Sequence, residues 1–399
     1  MEALKREVKR KILSEAHDVS ARIEMHRIEP LLKNYNTEVI SNIPDKTAIR
    51  YKKRIVFIIT RMVRFHGGQT SVLRLGTELA KQGYNVAYAV YKSQSRKEMQ
   101  ICAASNYEVF EGKLYTAKVL ERMIDEQKGA DIVIATSWDT VSYAKRLNGY
   151  KMYFVQDFEP YFYSFGEKFL LAKKTYEQGL HMVSLGAWNK DMILKLAKPV
   201  SDIDVIEFPY EKSEYPPCDR DYMSYSGKKK LTFAVYLKYY GKRLPCILQS
   251  MMGEMREELL KHGIEAEVKY FGEAKNFKPK NGINLGMLTK QELFELYKSS
   301  DFGITASMSN ISLVPYEMIS TGLPMIEFED GTFEYFFPKG SAVMTGISGK
   351  VLAGQIIDCL NNPEVLQKMQ ENAQSYMKDL SWQKTGEEFG RIIEGICAN

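Results

Sequence analysis

Two series of short apolar runs, separated by one stretch without any pattern, constrain this chain more than anything else in it. The first series is RIVFIIT (54–60), NVAYAVY (85–91), DIVIAT (131–136), MYFVQ (152–156) and HMVSL (181–185). The second is LTFAVYL (231–237), EAEVKYFG (265–272), DFGITAS (301–307), PMIEF (324–328) and AVMT (342–345). Each run is rich in β-branched and aromatic residues, and helix-length intervals separate them. Strands that are apolar along their whole length are buried on both faces, the mark of parallel strands joined by crossover helices. Between the series lies PYEKSEYPPCDRDYMSYSGKKK (209–230), rich in Pro, Ser, Gly and charge, with neither a helical nor a strand period. The expected fold is therefore α/β, with two tandem Rossmann-like doubly wound domains facing each other across a cleft at their strand carboxyl ends. The expected divisions are an N-terminal helical extension (1–50), a first domain (51–210), a linker (211–230), a second domain (231–380) and a C-terminal helix (381–399) placed to cross back to the first domain.

Composition narrows the function classes. With 399 residues the chain is long enough for two cores, and its 45% apolar and 26% charged residues are those of a folded globular protein. A net charge of +5 suits an anionic small ligand or an anionic membrane surface better than nucleic acid, and no nucleic-acid partner is expected. The five Cys (102, 218, 246, 359, 397) form no C-x-x-C pair, which points to a reducing cytosol and away from a disulfide framework or a zinc ribbon. No apolar run reaches the roughly 18 residues of a membrane span, and MEALKREVKRKIL is not built like a secretory signal. A cytoplasmic location is expected, or a peripheral one on the inner face of the cell membrane. Leu4, Val8, Ile12 and Leu13 share one helical face, and residues 1–11 hold five Lys or Arg against two Glu. Peripheral membrane contact through residues 1–13 is one reading of this segment, and packing on the body of the protein is the other.

Polar groups collect where the strands end. Gly67 and Gly68 follow the first strand, ahead of a helix expected to begin near Thr70, so that backbone N–H groups face the cleft; a tight turn alone would also account for them. FVQDFEPYFYSFGE (154–167) sets Gln156, Asp157 and Glu159 at a strand tip, followed by four aromatics suited to sugar stacking or to loop packing. Lys238, Lys242 and Arg243 follow LTFAVYL, where fixed cations suit a diphosphate and a solvated basic turn is the alternative. In SNISLVPYEMISTGLPMIEF (309–328), Pro315 is expected at the first helical position and Gly322 just past the end, with Glu317 in the first turn. The five His (17, 26, 66, 181, 262) never fall at metal-ligand spacing, and nucleophile-elbow, phosphate-loop and dinucleotide fingerprints are missing from the sequence.

Taken together, the two α/β series, the GG turn, the cations Lys238 and Arg243 five residues apart, and NLGMLTKQELFELYKSSDFGITAS…PYEMISTGLPMI resemble the retaining GT-B glycosyltransferases of family 4. The resemblance runs from about residue 54 to LSWQKTGEEF (380–389), which is similar to that family's closing tryptophan-containing helix. QDFEPYFY, with a missing first glutamate, most resembles the bacterial rhamnosyltransferases of the WsaF type, which use dTDP-rhamnose. The resemblance implies that Lys238 and Arg243 grip the donor diphosphate, with the family's two residue types exchanged. It implies that Glu317 is the second glutamate of the E-x7-E motif, which binds ribose hydroxyls, and that Ser309 stands where the first glutamate would be. Donor contacts then fall to Lys242, Ser309, Asn310, Ile311 and Ser312, while Gly67, Gly68, Gln156 and Glu159 serve the acceptor or phosphate loop, and Asp157 orients a sugar.

The implied activity is metal-independent transfer of rhamnose from dTDP-rhamnose, with retention and without any cofactor, to a hydroxyl of a lipid-linked, cell-surface polysaccharide intermediate. Asp157, Lys238 and Arg243 are the expected catalytic residues. The alternatives are a transferase of another sugar carried on UDP or GDP, and a noncatalytic protein that binds glycan or nucleotide.

Overall fold

A computed structural model describes residues 35–398 apart from Lys212 and Tyr240, together with positions 19, 22–26, 28–29 and 31–33. The membrane contact expected through residues 1–13 lies outside the described residues, as does much of the extension expected over 1–50. Its described part includes the helix Lys46–Lys52, capped by the Asp45 carboxylate.

The first sheet contains β1 (Arg54–Ile59), β2 (Asn85–Val90), β3 (Lys113–Tyr115), β4 (Gly129–Ala135), β5 (Asn148–Val155), β6 (His181–Leu185) and β7 (Ile203–Ile206). Its order is β3-β2-β1-β4-β5-β6-β7, and every neighbouring pair is parallel. The second sheet contains β8 (Lys230–Tyr236), β9 (Glu265–Phe271), β10 (Ile283–Asn284), β11 (Phe302–Ile304), β12 (Met325–Phe328) and β13 (Val343–Thr345). Its order is β10-β9-β8-β11-β12-β13, again parallel throughout. Two Rossmann-like units are thus present, as the apolar runs require. Phe57, Ile134, Met152 and Phe154 in the first sheet, and Phe233, Val235, Ile304 and Ile326 in the second, are fully buried between helical layers. Three strands, β3, β7 and β10, have no counterpart among the runs singled out in the sequence. All three are sheet edges of two to four residues, too short and too exposed on one side to write a continuous apolar run.

The patternless segment between the sheets is ordered by its own aromatics and by one arginine. Tyr210, Tyr215 and Tyr225 are buried, and Arg220 donates to the carbonyls of Ser300 at 2.7 Å and Tyr297 at 3.0 Å in the second unit. The last helix, Trp382–Ala398, lies on the helix Gly67–Lys81 of the first unit. Glycines make that approach feasible. A Cβ at Gly386 would fall 2.4 Å from Glu78 Cβ, and one at Gly390 2.1 Å from Gln82 Oε1. Phe389 of the same helix is fully buried and meets Phe154 edge-on at 6.2 Å. Among the described residues no helix is long and apolar enough to cross a membrane.

Candidate functional site

The site is assembled where the carboxyl ends of the two sheets meet. On the first unit the chain leaves β1, passes through Phe65 in the left-handed region (φ +52°), and starts the helix Gly67–Lys81 with His66 as its cap. The His66 Nδ1 accepts from the Gln69 N–H at 3.4 Å. Both glycines are therefore the first residues of the helix, which begins three positions before the expected Thr70, because an imidazole can cap it. A Cβ at Gly67 would meet nothing within 4 Å, whereas one at Gly68 would lie 3.5 Å from the Gln156 Oε1, so the helix start faces the tip of β5.

That tip divides its three polar residues. Gln156 and Asp157 belong to the cleft, but Glu159 does not. A 3-10 turn over Glu159–Phe162 carries its carboxylate inward, where Oε2 accepts from the Trp138 N–H at 2.5 Å and the Tyr153 hydroxyl at 2.8 Å. Burial pushes its pKa up to about 8, against the pull of these two hydrogen bonds. Glu159 is 6% exposed and corrects the expectation of an acceptor-facing carboxylate: its bonds hold the turn below the cleft.

The second unit supplies the cations. Past β8, Lys242 forms an ion pair with Asp157 and stands 3.9 Å from the centre of the Phe162 ring, so one cation ties both units together. Burial lowers the Lys242 pKa, Asp157 opposes the change, and Arg243 reinforces it. Lys238 is likewise lowered by burial, with Glu273 opposing and Arg243 adding to it. Arg243 is 7% exposed; its Nη1 donates to the Ala306 carbonyl at 3.0 Å, and its guanidinium lies 5.6 Å from the Tyr236 ring centre. The next residue, Leu244, is held left-handed (φ +46°) ahead of Pro245, which opens the helix Pro245–Lys261. His66 faces the same cations. Its ring keeps contact with solvent, yet the surrounding cleft walls, followed by Lys238 and Lys242, lower its pKa to about 4, and it is neutral near pH 7.

The segment after β11 forms the opposite wall. Asn310 is 1% exposed and crosses between the units, donating through Nδ2 to the Gln156 carbonyl at 2.6 Å and the Leu185 carbonyl at 3.3 Å. Ser309 Oγ, Asn310 Oδ1, Ser312 Oγ and, from the first unit, Asp157 Oδ1 are buried without a hydrogen-bond partner among the described residues. Buried polar atoms are seldom left so, and two of these belong to Asp157, which holds Lys242, and to Asn310, which bridges the units, a setting that suits a polar ligand. Ile311 is 4% exposed and its side chain belongs to the apolar core, so a donor contact at this position falls to its backbone.

The helix Leu313–Ser320 follows, with Ser312 at its N-cap. Pro315 is its third residue and not its first, and Glu317 is its fifth, beyond the first turn. The physical reason is that a proline fits any position of the first turn, where its missing N–H has no intrahelical acceptor. Gly322 follows the helix with φ +77°, as its expected place requires. Glu317 is partly exposed and accepts from the Tyr297 hydroxyl at 3.2 Å; burial raises its pKa to about 7. Both Glu317 and Arg243 lie near Tyr236, which connects the carboxylate to the cation cluster.

The structure thus gathers Asp157, Lys238, Lys242, Arg243, Gln156, Gly67, Gly68, Ser309, Asn310 and Ser312 around one cleft and sets Glu317 at its margin. Two residues with no assigned role join them. His66 was legible as the cap before a GG pair. Glu327 was legible as a charge inside the apolar run PMIEF: it is 0% exposed and accepts from Ser307 Oγ at 2.6 Å and from Thr305 Oγ1. Among the described residues no cluster of three or more His, Cys, Asp or Glu is arranged to hold a metal ion. Clustered cations, hydroxyls and an amide bridge can bind a diphosphate and orient the hydroxyls of a sugar.

Comparison with known proteins bears on the fold. Residues 64–186 match the family described as WsaF, N-terminal domain, which takes in the GG helix, the tip of β5 and its turn. The O-antigen biosynthesis protein RfbC of Myxococcus xanthus is 23% identical over 309 residues, 71% of this chain and 22% of that protein. The chain therefore spans about a fifth of the length of that relative. A sucrose-phosphate synthase of Thermosynechococcus elongatus superposes with a TM-score of 0.65 at 12% identity, over 87% of this chain and 99% of the other. HepE of Anabaena, solved with UDP-glucose, superposes with a TM-score of 0.66 at 10% identity, over 86% and 99%. The fold is that of GT-B glycosyltransferases.

Proposed function

We propose that this chain is a glycosyltransferase of polysaccharide biosynthesis, which moves a sugar from a nucleoside diphosphate to a hydroxyl of a growing cell-surface glycan. One observation carries the reading: Lys238, Lys242 and Arg243 follow one strand tip, Lys242 pairs with Asp157 of the other unit, and Asp157, Ser309, Asn310 and Ser312 each keep a buried polar atom that lacks a partner among the described residues. The GT-B fold and the relatives' names support the same class.

In this reading the three cations neutralise the diphosphate and stabilise the negative charge that grows on it as the bond to the sugar C1 breaks. The acceptor oxygen forms its bond to C1 on the face the diphosphate leaves, and its proton passes to the departing diphosphate oxygen. Configuration is retained, no protein nucleophile takes part, and no metal ion is called on. Asp157 Oδ1 accepts from a sugar hydroxyl while Oδ2 remains on Lys242. Glu317 takes the free hydroxyl of the nucleotide's pentose. We further propose dTDP-rhamnose as donor and a lipid-linked glycan as acceptor, supported by the WsaF match over 64–186. Ser309, in the place of a carboxylate, belongs to a pocket altered for a sugar without a 6-hydroxyl.

Calorimetry of the purified protein with dTDP, UDP and GDP, followed by transfer assays with dTDP-rhamnose and a glycan-lipid extract, tests the reading. Binding of dTDP in preference to UDP, and transfer abolished in Lys238→Ala, are the expected results. Tighter binding of UDP refutes the donor assignment. Binding of dTDP with no transfer to any acceptor favours the noncatalytic alternative, for which Ser309 in the glutamate's place is the supporting observation.

A further inference from the structure

We infer that Glu327 is a positioning residue, which holds residues 305–310 and, through them, Arg243 in the arrangement that grips an anionic diphosphate; this rests on the reading of Arg243 as a donor ligand given above. Glu327 sits in the middle of β12, whose other residues, Met325, Ile326 and Phe328, are apolar and buried. A carboxylate in such a place is unfavourable unless hydrogen bonds surround it. It has four. Oε2 accepts from the N–H of Ser307 at 3.2 Å and of Phe328 at 3.3 Å, while Oε1 accepts from Ser307 Oγ at 2.6 Å and from Thr305 Oγ1.

Three of these donors belong to residues 305–307, and their place in the chain explains why. β11 ends at Ile304, and the last bond to β12 beyond it, from the Thr305 N–H to the Ile326 carbonyl, is stretched to 3.4 Å. The sheet ladder fails there and the Glu327 side chain takes over. Ser307 is fixed from its other side as well, because its carbonyl accepts from the Thr332 N–H at 2.7 Å and the Thr332 hydroxyl at 3.0 Å. Ala306, between the two residues that Glu327 grips, offers the carbonyl on which Arg243 docks at 3.0 Å. Three and four residues after Ala306 come Ser309 and Asn310, with their unpartnered oxygens. The arginine, the hydroxyl and the amide therefore share one support. Burial raises the Glu327 pKa, and its hydrogen bonds together with Arg243 oppose that rise. All four donors suit a charged carboxylate. A glutamine has a single acceptor oxygen and an NH2 group that cannot accept from the Ser307 or Phe328 N–H.

The test is E327Q and E327D, alone and in an R243A background, read by deuterium uptake of peptides spanning 305–310 without nucleotide and by calorimetric affinity for dTDP and UDP. E327Q is expected to raise uptake in 305–310 and to weaken nucleotide affinity about tenfold or more, with E327D restoring part of both. In R243A the further loss from E327Q should shrink to less than about twofold, because the two residues act through one support. Unchanged uptake in folded E327Q overturns the inference, as does an equal loss of affinity with and without Arg243. Should E327Q fail to fold, S307A keeps the charge while removing one donor, and parental affinity in that variant overturns the inference. If the unaltered protein binds neither nucleotide, the functional reading falls and the uptake measurement alone decides the role of Glu327.

Discussion

Glu159 of the first unit and Glu317 of the second are both carboxyls whose pKa is pushed up by burial, to about 8 and about 7. Their surroundings differ in kind. Glu159 closes a circle: its carboxylate takes Trp138 and Tyr153, its N–H donates to the Tyr176 oxygen at 3.1 Å, and the Tyr176 hydroxyl donates to the Asp157 carbonyl at 3.2 Å. Tyr153 and Tyr176 stack with 5.7 Å between ring centres, so little is left over for a ligand. Glu317 has the Tyr297 hydroxyl at 3.2 Å, is partly exposed, and feels the charges of Glu214, Lys290 and Arg74. A raised pKa therefore marks burial, and the capacity left over after local hydrogen bonding marks a ligand contact.

The sharpest way to break this comparison is Glu159→Ala. Leaving the Trp138 N–H and the Tyr153 hydroxyl buried and unpaired should destabilise the protein by about 3 kcal/mol in denaturant titration, while the rate per folded molecule changes less than about twofold. Loss of rate at unchanged stability would return Glu159 to the site. The mirror experiment is Lys238→Ala, for which transfer should fall about 10²-fold with little change in melting temperature.

Glu317→Gln comes next. The protonated carboxyl is a poor acceptor for a pentose hydroxyl, so donor affinity should rise as pH climbs through about 7, and the variant should lose both that dependence and about fivefold to tenfold in affinity at pH 8. Stability should move the other way. The folded carboxyl keeps its proton up to about 7, whereas the unfolded one releases it near 4.5, so this group's contribution falls across that window and is level above it. A flat binding profile in the unaltered protein would remove Glu317 from the donor site. The smallest effect is expected at Gly67→Ala. A methyl group meets nothing within 4 Å and alanine favours the helix, so stability should hold or rise by up to about 1 kcal/mol. A drop in transfer with that gain would show that the glycine serves a ligand approaching the helix start.

How far the sequence could be read follows the same physics. Central strands such as β1, β4, β5 and β8 are buried on both faces and write themselves as apolar runs; of the four edge strands only the largely buried β13 does, while β3, β7 and β10 do not. Lys238, Lys242, Arg243 and Asp157 were legible because polar groups just past an apolar strand tip have a known destination. That Lys242 pairs with Asp157, 85 positions away, was not, since only the meeting of the two sheets brings them together. Glu159 was misread because one 3-10 turn reverses the direction of a side chain, and two residues of spacing cannot reveal it. Glu327 had a signal, a charge within a strand with no alternation, which demanded buried partners before any could be named.

The return of the C-terminal helix to the first unit has a mechanical consequence. The polypeptide passes between the units twice, through residues 207–229 and again through residues 378–381, between the helix Glu364–Met377 and the helix Trp382–Ala398. Two bodies tied at two points can swing about the line through those ties, whereas sliding or twisting would stretch one of them. A swing of that kind is a single angular coordinate. The bonds from Lys242 to Asp157 and from Asn310 to Gln156 both join the two units, so they oppose any such swing that parts the strand tips.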